Sequence, residues 1–156
     1  MRINLQLIVV AALLVPARLF AGECSVTEYE RLVVEGRSAN NGRDWGRTVE
    51  IYSRILGDCR ALVDKDDQAK AYDALSFGQL MLENYSAARD SAGKCLEVQP
   101  QYNACMLTAA KAAEGLGDRG QALEFARAAA LVDPYDDYSA AVGIAARSLL
   151  KQLEKR

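Results

Sequence analysis

The sequence predicts an all-α protein, a stack of three helix-turn-helix units closed by one further helix. Three observations carry this. The stretch LGDRGQALEFARAAALVDP (residues 116–134) runs from a Gly117-Asp118 turn through an alanine-rich helix to an Asp-Pro stop, and 34 residues earlier ENYSAARDSAGKCLEVQP ends the same way at Pro100. A design returning at a fixed interval marks a repeat architecture. Alanine is abundant while aromatics make up only 7% of the chain, which favours close-packed helices over a β-sandwich. Of the three prolines, Pro100 and Pro134 fall where helices would end.

The elements follow in order. Met1–Ala21 reads as a secretory signal: Arg2 is the positive start, Leu5–Val15 the apolar run, Pro16 its break, and Leu19-Phe20-Ala21 an acceptable cleavage site. The apolar run is far short of the about 20 residues that span a bilayer, so no membrane insertion is expected once the signal is cleaved. Residues 22–156 form the remaining domain. Glu28–Asn40 is a first amphipathic helix and Asn41-Gly42 its turn. Arg43–Leu56 is the second, with Trp45, Val49, Tyr52, Ile55 and Leu56 facing inward. Cys59–Asp67 is an irregular connection in which Arg60–Val63 can add a helical turn. Gln68–Leu82 and Ser86–Val98 make the second hairpin, and Asn103–Leu116 and Gly120–Val132 the third. Ser139–Lys155 closes the chain. The tyrosines and the one tryptophan recur at helical spacing and read as core.

Composition narrows the chemistry. With no histidine, the His-based triads, His-zinc sites and His proton transfers are excluded. Outside residues 1–21 the chain carries 17 basic and 21 acidic residues, net −4, which gives no electrostatic footprint for nucleic acid. The acidic runs Asp64–Asp67 and Asp133–Asp137 lack the alternating acids, central glycine and terminal glutamate of a calcium loop, and read as helix caps and turns. No Cys pair has the C-x₂-C spacing of a zinc or redox site. No metal or other cofactor is expected.

The 34-residue period and the hairpin unit resemble the tetratricopeptide repeat family. The third unit matches best: Gly117-Asp118 at the turn, Ala122, Ala126 and Ala129 along the second helix, Asp133-Pro134 at the end. Tyr85, Ala88, Ala92, Leu96 and Pro100 take the matching places in the second unit, and Trp45, Thr48, Tyr52 and Ile55 in the first. Thr48 to Ala88 is 40 residues, so about six extra residues separate units one and two. The second unit has Glu83 where the turn glycine belongs, and the small position of the first helix is Gly36, Ser76 and Ala110 in turn. The resemblance implies a right-handed superhelical stack with repeats at about 28–63, 69–102 and 103–136 and a capping helix at 139–155.

Cys24, Cys59, Cys95 and Cys105 all follow the signal, and an even count in an exported chain suggests two disulfides. Four cysteines allow three pairings and sequence alone does not choose. Cys24–Cys59 would join the two neighbouring ends of the first hairpin, and Cys95–Cys105 would join adjacent units, so this pairing is favoured over those that cross between units. The alternative for Cys95 is a small core residue equivalent to Ala129.

The resemblance also places the first helix of each hairpin on a concave surface. That face would carry Arg37, Asn40 and Asn41 from unit one, Asp73, Phe77, Leu80 and Met81 from unit two, and Leu107, Lys111 and Glu114 from unit three, with Tyr138 beside them. Phe77, Leu80 and Met81 form an apolar set suited to a peptide or a partner helix, or else belong to the core. The Lys, Arg and Asn cluster with which some family members hold a C-terminal carboxylate is broken here by Asp73. An enzyme working with carboxylates alone would need Asp73 and Glu114 to face each other across the groove. No catalytic constellation is present otherwise. The reading is a non-enzymatic adaptor or assembly scaffold in the bacterial cell envelope, periplasmic or secreted, that binds another protein or peptide in its groove. The alternative is a self-associating module, its groove filled by its own C-terminal helix or by a second copy in a homo-oligomer.

Overall fold

A computed structural model of the chain describes residues 24–155; the signal segment lies outside them. The described residues form seven α-helices and one 3₁₀ turn and contain no strand. In order these are α1 (Val26–Asn41), α2 (Trp45–Gly57), the 3₁₀ turn Arg60–Leu62, α3 (Lys65–Met81), α4 (Tyr85–Val98), α5 (Asn103–Gly115), α6 (Arg119–Leu131) and α7 (Asp137–Glu154).

Each helix packs on the next in sequence, and α3 also touches α5, and α5 touches α7. This is the contact pattern of stacked hairpins, with the odd-numbered helices sharing one face. The repeat register is visible in burial. Thr48, Ala88 and Ala122 are all fully buried, as are Ile55, Cys95 and Ala129 one helical interval later. Small residues let the helices approach: a Cβ on Gly36 would lie 3.1 Å from the Tyr52 ring, and one on Gly78 would lie 3.0 Å from Val49 Cγ2. The six extra residues before unit two are taken up by the 3₁₀ turn, which Cys59 and Val63 anchor by burying their side chains.

Helix starts follow their caps. Ser25 accepts a hydrogen bond from Glu28 N and starts α1 two residues earlier than expected; Asp64 accepts from Asp67 N at 2.8 Å and starts α3 three residues earlier. Asp44 and Asp118 cap α2 and α6 alike, while Asn84, at the matching place before α4, makes no side-chain cap. Asp136 and Ser139 form a reciprocal capping box at α7. Both acidic runs thus supply helix caps.

Two sequence expectations need correction. The turn after α1 was placed at Asn41-Gly42, but Gly42 has φ −76° and Arg43 is the left-handed residue at φ 58°, matching Glu83 at 60° and Gly117 at 77° in the next units. The chain reverses one residue later because Asp44, the next residue, is the cap. The aromatic residues are not buried core either. Tyr135 and Tyr138 are more than half exposed, and Trp45, Tyr29, Tyr52, Tyr72, Tyr85 and Tyr102 are only partly buried. Tyr29, Tyr52, Tyr72 and Tyr102 instead pack against the buried clusters as partly buried neighbours.

Both disulfides join the favoured partners, Cys24–Cys59 with Cα atoms 4.8 Å apart and Cys95–Cys105 with Cα atoms 6.3 Å apart. The first ties the chain ahead of α1 to the end of α2. The second staples α4 to α5. Such bonds are compatible with an oxidising compartment. No helix among the described residues is long and apolar enough to cross a membrane.

Candidate binding groove

One face of α3, α5 and α7 lines a cavity of about 580 Å³. The contributions follow helical spacing. Lys70, Asp73, Ala74, Phe77 and Leu80 come from α3, Ala104, Leu107, Thr108 and Lys111 from α5, and Tyr138, Ala141, Val142 and Ala145 from α7. In each set the residues lie three and four apart, so one helical face supplies them all. Asn40 from α1, Tyr52 from α2 and Tyr102, the residue ahead of α5, complete the ring. Most of the lining is apolar, with a few convergent polar groups, the usual make-up of a binding cavity.

The structure therefore brings together Asn40, Asp73, Phe77, Leu80, Leu107, Lys111 and Tyr138 of the residues read from the sequence. Arg37 lines a smaller adjoining recess of about 90 Å³, which shares Tyr52 and Lys70 with the main cavity. Asn41, Met81 and Glu114 lie outside both linings. Met81 ends α3 and is 47% exposed, and it is not among the residues that line the cavity with Phe77 and Leu80. Glu114 does not line the cavity beside Asp73. Tyr52, Lys70, Tyr102 and Thr108 were missed. Lys70 and Thr108 extend the same spacing one turn from Asp73 and Lys111, a signal already present. Tyr52 reads from its spacing as an inward residue of α2 beside Trp45, Val49, Ile55 and Leu56; it packs against that core and lines the cavity as well.

Asp73 dominates the electrostatics. Its Oδ2 accepts a hydrogen bond from the Tyr138 hydroxyl at 3.4 Å, and its Oδ1 lies 3.9 Å from Cys105 Sγ, a contact without a shared proton because that sulfur is in a disulfide. No cation pairs with it among the described residues; Lys70, one turn away, instead reaches Asp67 at 3.3 Å. Desolvation pushes its carboxyl up to about 7, only partly offset by the Tyr138 hydrogen bond. Burial raises the Tyr102 and Tyr138 hydroxyls as well, and the Asp73 charge adds to both. Asn40 presents a buried Oδ1 with no hydrogen-bond partner in the protein.

The α7 helix packs on α5 and α6 and forms one wall of this cavity, continuing the stack. Its Val142, Ala146, Leu149 and Leu153 also pack in the core cluster shared with α5 and α6.

No protein-family model matches the chain, and no curated protein matches it. Solved structures do match. PcrH in complex with the chaperone-binding region of PopD superposes with a TM-score of 0.72 at 19% identity, over 85% of this chain and 95% of that one. The TPR2B domain of yeast Sti1, solved as a complex with pHsp70, gives 0.68 at 19% identity over 83% and 98%. The Arabidopsis OM64 TPR domain gives 0.61 at 19% identity over 78% and 96%. The fold is that of the tetratricopeptide repeat. The TPR stack spans nearly the whole described chain, and the cavity lies on the face that α3, α5 and α7 share. At these identities the likeness speaks for the fold alone.

Proposed function

We propose that this chain is an exported TPR adaptor that binds a segment of another protein, an extended peptide or a helix, in the groove between α3, α5 and α7. The observation that carries the reading is the open, largely apolar cavity whose walls are supplied by one face of α3, α5 and α7 in succession. Two disulfides and the apolar start of the sequence support export to the cell envelope. The matched structures of PcrH with PopD and of Sti1 with pHsp70 support a polypeptide as ligand, and none of the three matched structures is described as an enzyme.

The test compares two variants in the native cell after crosslinking. Ala141 lines the groove and is exposed, so Ala141→Trp fills the cavity without disturbing the core. Met81→Glu changes an exposed residue outside the cavity. Ala141→Trp should abolish recovery of the partner identified by mass spectrometry with the melting temperature kept, and Met81→Glu should retain it. Equal recovery with both variants would remove the groove from the function. Recovery of the chain alone, with light scattering at a multiple of the mass of one chain after signal cleavage, would favour the self-associating reading.

A further inference from the structure

The groove has a polar centre that its apolar walls do not explain. Asp73 sits on α3 in the middle of the cavity wall, and four aromatic side chains, Tyr52, Phe77, Tyr102 and Tyr138, line the same cavity from α2, α3, the start of α5 and α7. A carboxylate in a cavity that aromatic side chains also line can take a cation, through charge pairing and through attraction to the rings. We propose that this centre is a specificity subsite for a basic side chain, a lysine or arginine, carried by the docked segment; the inference rests on the groove reading above.

Charge complementarity favours that occupant. Asp73 has no ion-pair partner among the described residues, and its one hydrogen bond, from Tyr138, is long. Neither lysine of the cavity fills the place. Lys70 is turned to Asp67. Lys111 lies six residues beyond Cys105, the α5 residue that touches Asp73, which is about 9 Å further along the helix. An acidic or C-terminal carboxylate ligand would instead meet Asp73 as a like charge. Proton linkage follows. Burial holds the Asp73 carboxyl near 7, so a cation must first displace a proton from about half the molecules at neutral pH. The carboxyl is about one-tenth ionised at pH 6 and nine-tenths at pH 8, so affinity for a cation should rise about ten-fold over that span. Tyr52, Tyr102 and Tyr138 stay protonated throughout, since burial raises all three.

The experiment is an amide NMR titration of the ¹⁵N-labelled protein with n-butylammonium, which copies the lysine side chain, and with n-butanol, its neutral match. At pH 8 the ammonium should shift the amides around Asp73, Thr108 and Tyr138 and bind at least about ten-fold more tightly than the alcohol. The response should weaken about ten-fold at pH 6, and to the level of the alcohol in Asp73→Asn. Equal binding of alcohol and ammonium, or no pH dependence, would overturn the cationic subsite and leave an apolar groove whose docking role stands or falls with the Ala141→Trp crosslinking result. Silence of the groove amides to both probes also overturns it. The wild-type comparison decides these outcomes even if Asp73→Asn is poorly folded.

Discussion

Arg43, Glu83 and Gly117 occupy the same left-handed turn in successive units, with φ of 58°, 60° and 77°. Only the third is a glycine. A side chain there brings Cβ against its own carbonyl, at about 1–2 kcal/mol, while glycine returns part of that advantage by losing more freedom on folding. Glu83 is exposed and makes no side-chain hydrogen bond or ion pair among the described contacts, so nothing offsets its strain. Glu83→Gly should therefore stabilise the protein by about 0.5–1 kcal/mol, read as a raised urea midpoint, and Glu83→Ala should not. Equal midpoints for the two variants would show that the turn is not strained. Space matters as much as dihedral angle. A Cβ on Gly115 would lie 2.5 Å from the Tyr85 ring, so the tyrosine packs there only because the end of α5 is bare.

At the scale of elements, the first residue of each second helix grips the following unit. Trp45 at the start of α2 sets its ring edge-on to Phe77 of α3, centroids 5.4 Å apart. Tyr85 at the start of α4 lies over Gly115 of α5, and Arg119 at the start of α6 donates to the Leu153 carbonyl of α7 at 2.6 Å. One position does the same work with three chemistries, which is why the repeat reads clearly in the alanines and hardly at all in these contacts. The helices themselves were legible because Thr48, Ala88 and Ala122 hold one register through two unequal intervals. Their ends were less so. Asp64 competes with Asp66 and Asp67 as a cap, and only the fold selects it. In the groove, Asp73, Phe77, Leu107 and Lys111 were implied by the family resemblance, which assigns the first helix of each hairpin to this face, whereas Tyr52 and Tyr102 enter it from a second helix and a connection that the resemblance does not assign to it. The cysteines allow a graded test. Cys24–Cys59 closes a separation of 35 residues and Cys95–Cys105 one of 10. If the bridges act by restricting the unfolded chain, each contributes about 2–4 kcal/mol and the longer loop about 1 kcal/mol more. Alanine stands at Ala129 and Ala71, the places matching Cys95 and Cys105, so paired Cys→Ala variants are fair probes. Denaturant unfolding should rank the loss of Cys24–Cys59 as the greater; the reverse order would assign the stability of the second bridge to native packing between α4 and α5.

The whole molecule has no single centre. Buried residues fall into three clusters along the stack: one around Leu32, Ile51 and Ile55, one around Cys95, Cys105 and Ala109, and one joining α5, α6 and α7. In such a solenoid each unit is held only by its neighbours, so the terminal helix bears on stability out of proportion to its length. In the last cluster α5 and α6 contribute mostly alanines, while α7 brings Val142, Leu149 and Leu153. Burying three such side chains is worth about 5–9 kcal/mol, comparable with the about 5–15 kcal/mol that holds a whole domain folded. The helix also supplies the Ser139 carbonyl to the buried Asn103 amide at 2.8 Å, and the Leu153 carbonyl to Arg119. Removing residues 137–156 should therefore unfold α5 and α6 with it and take away one wall of the groove. Far-ultraviolet circular dichroism would then lose more helix than the deleted segment contains, while amide exchange in α1 to α3, clamped by Cys24–Cys59, stays comparatively slow. A truncated chain that keeps its remaining helicity would mean that α7 is an appendage, and that the alanine interface of α5 and α6 is sufficient by itself.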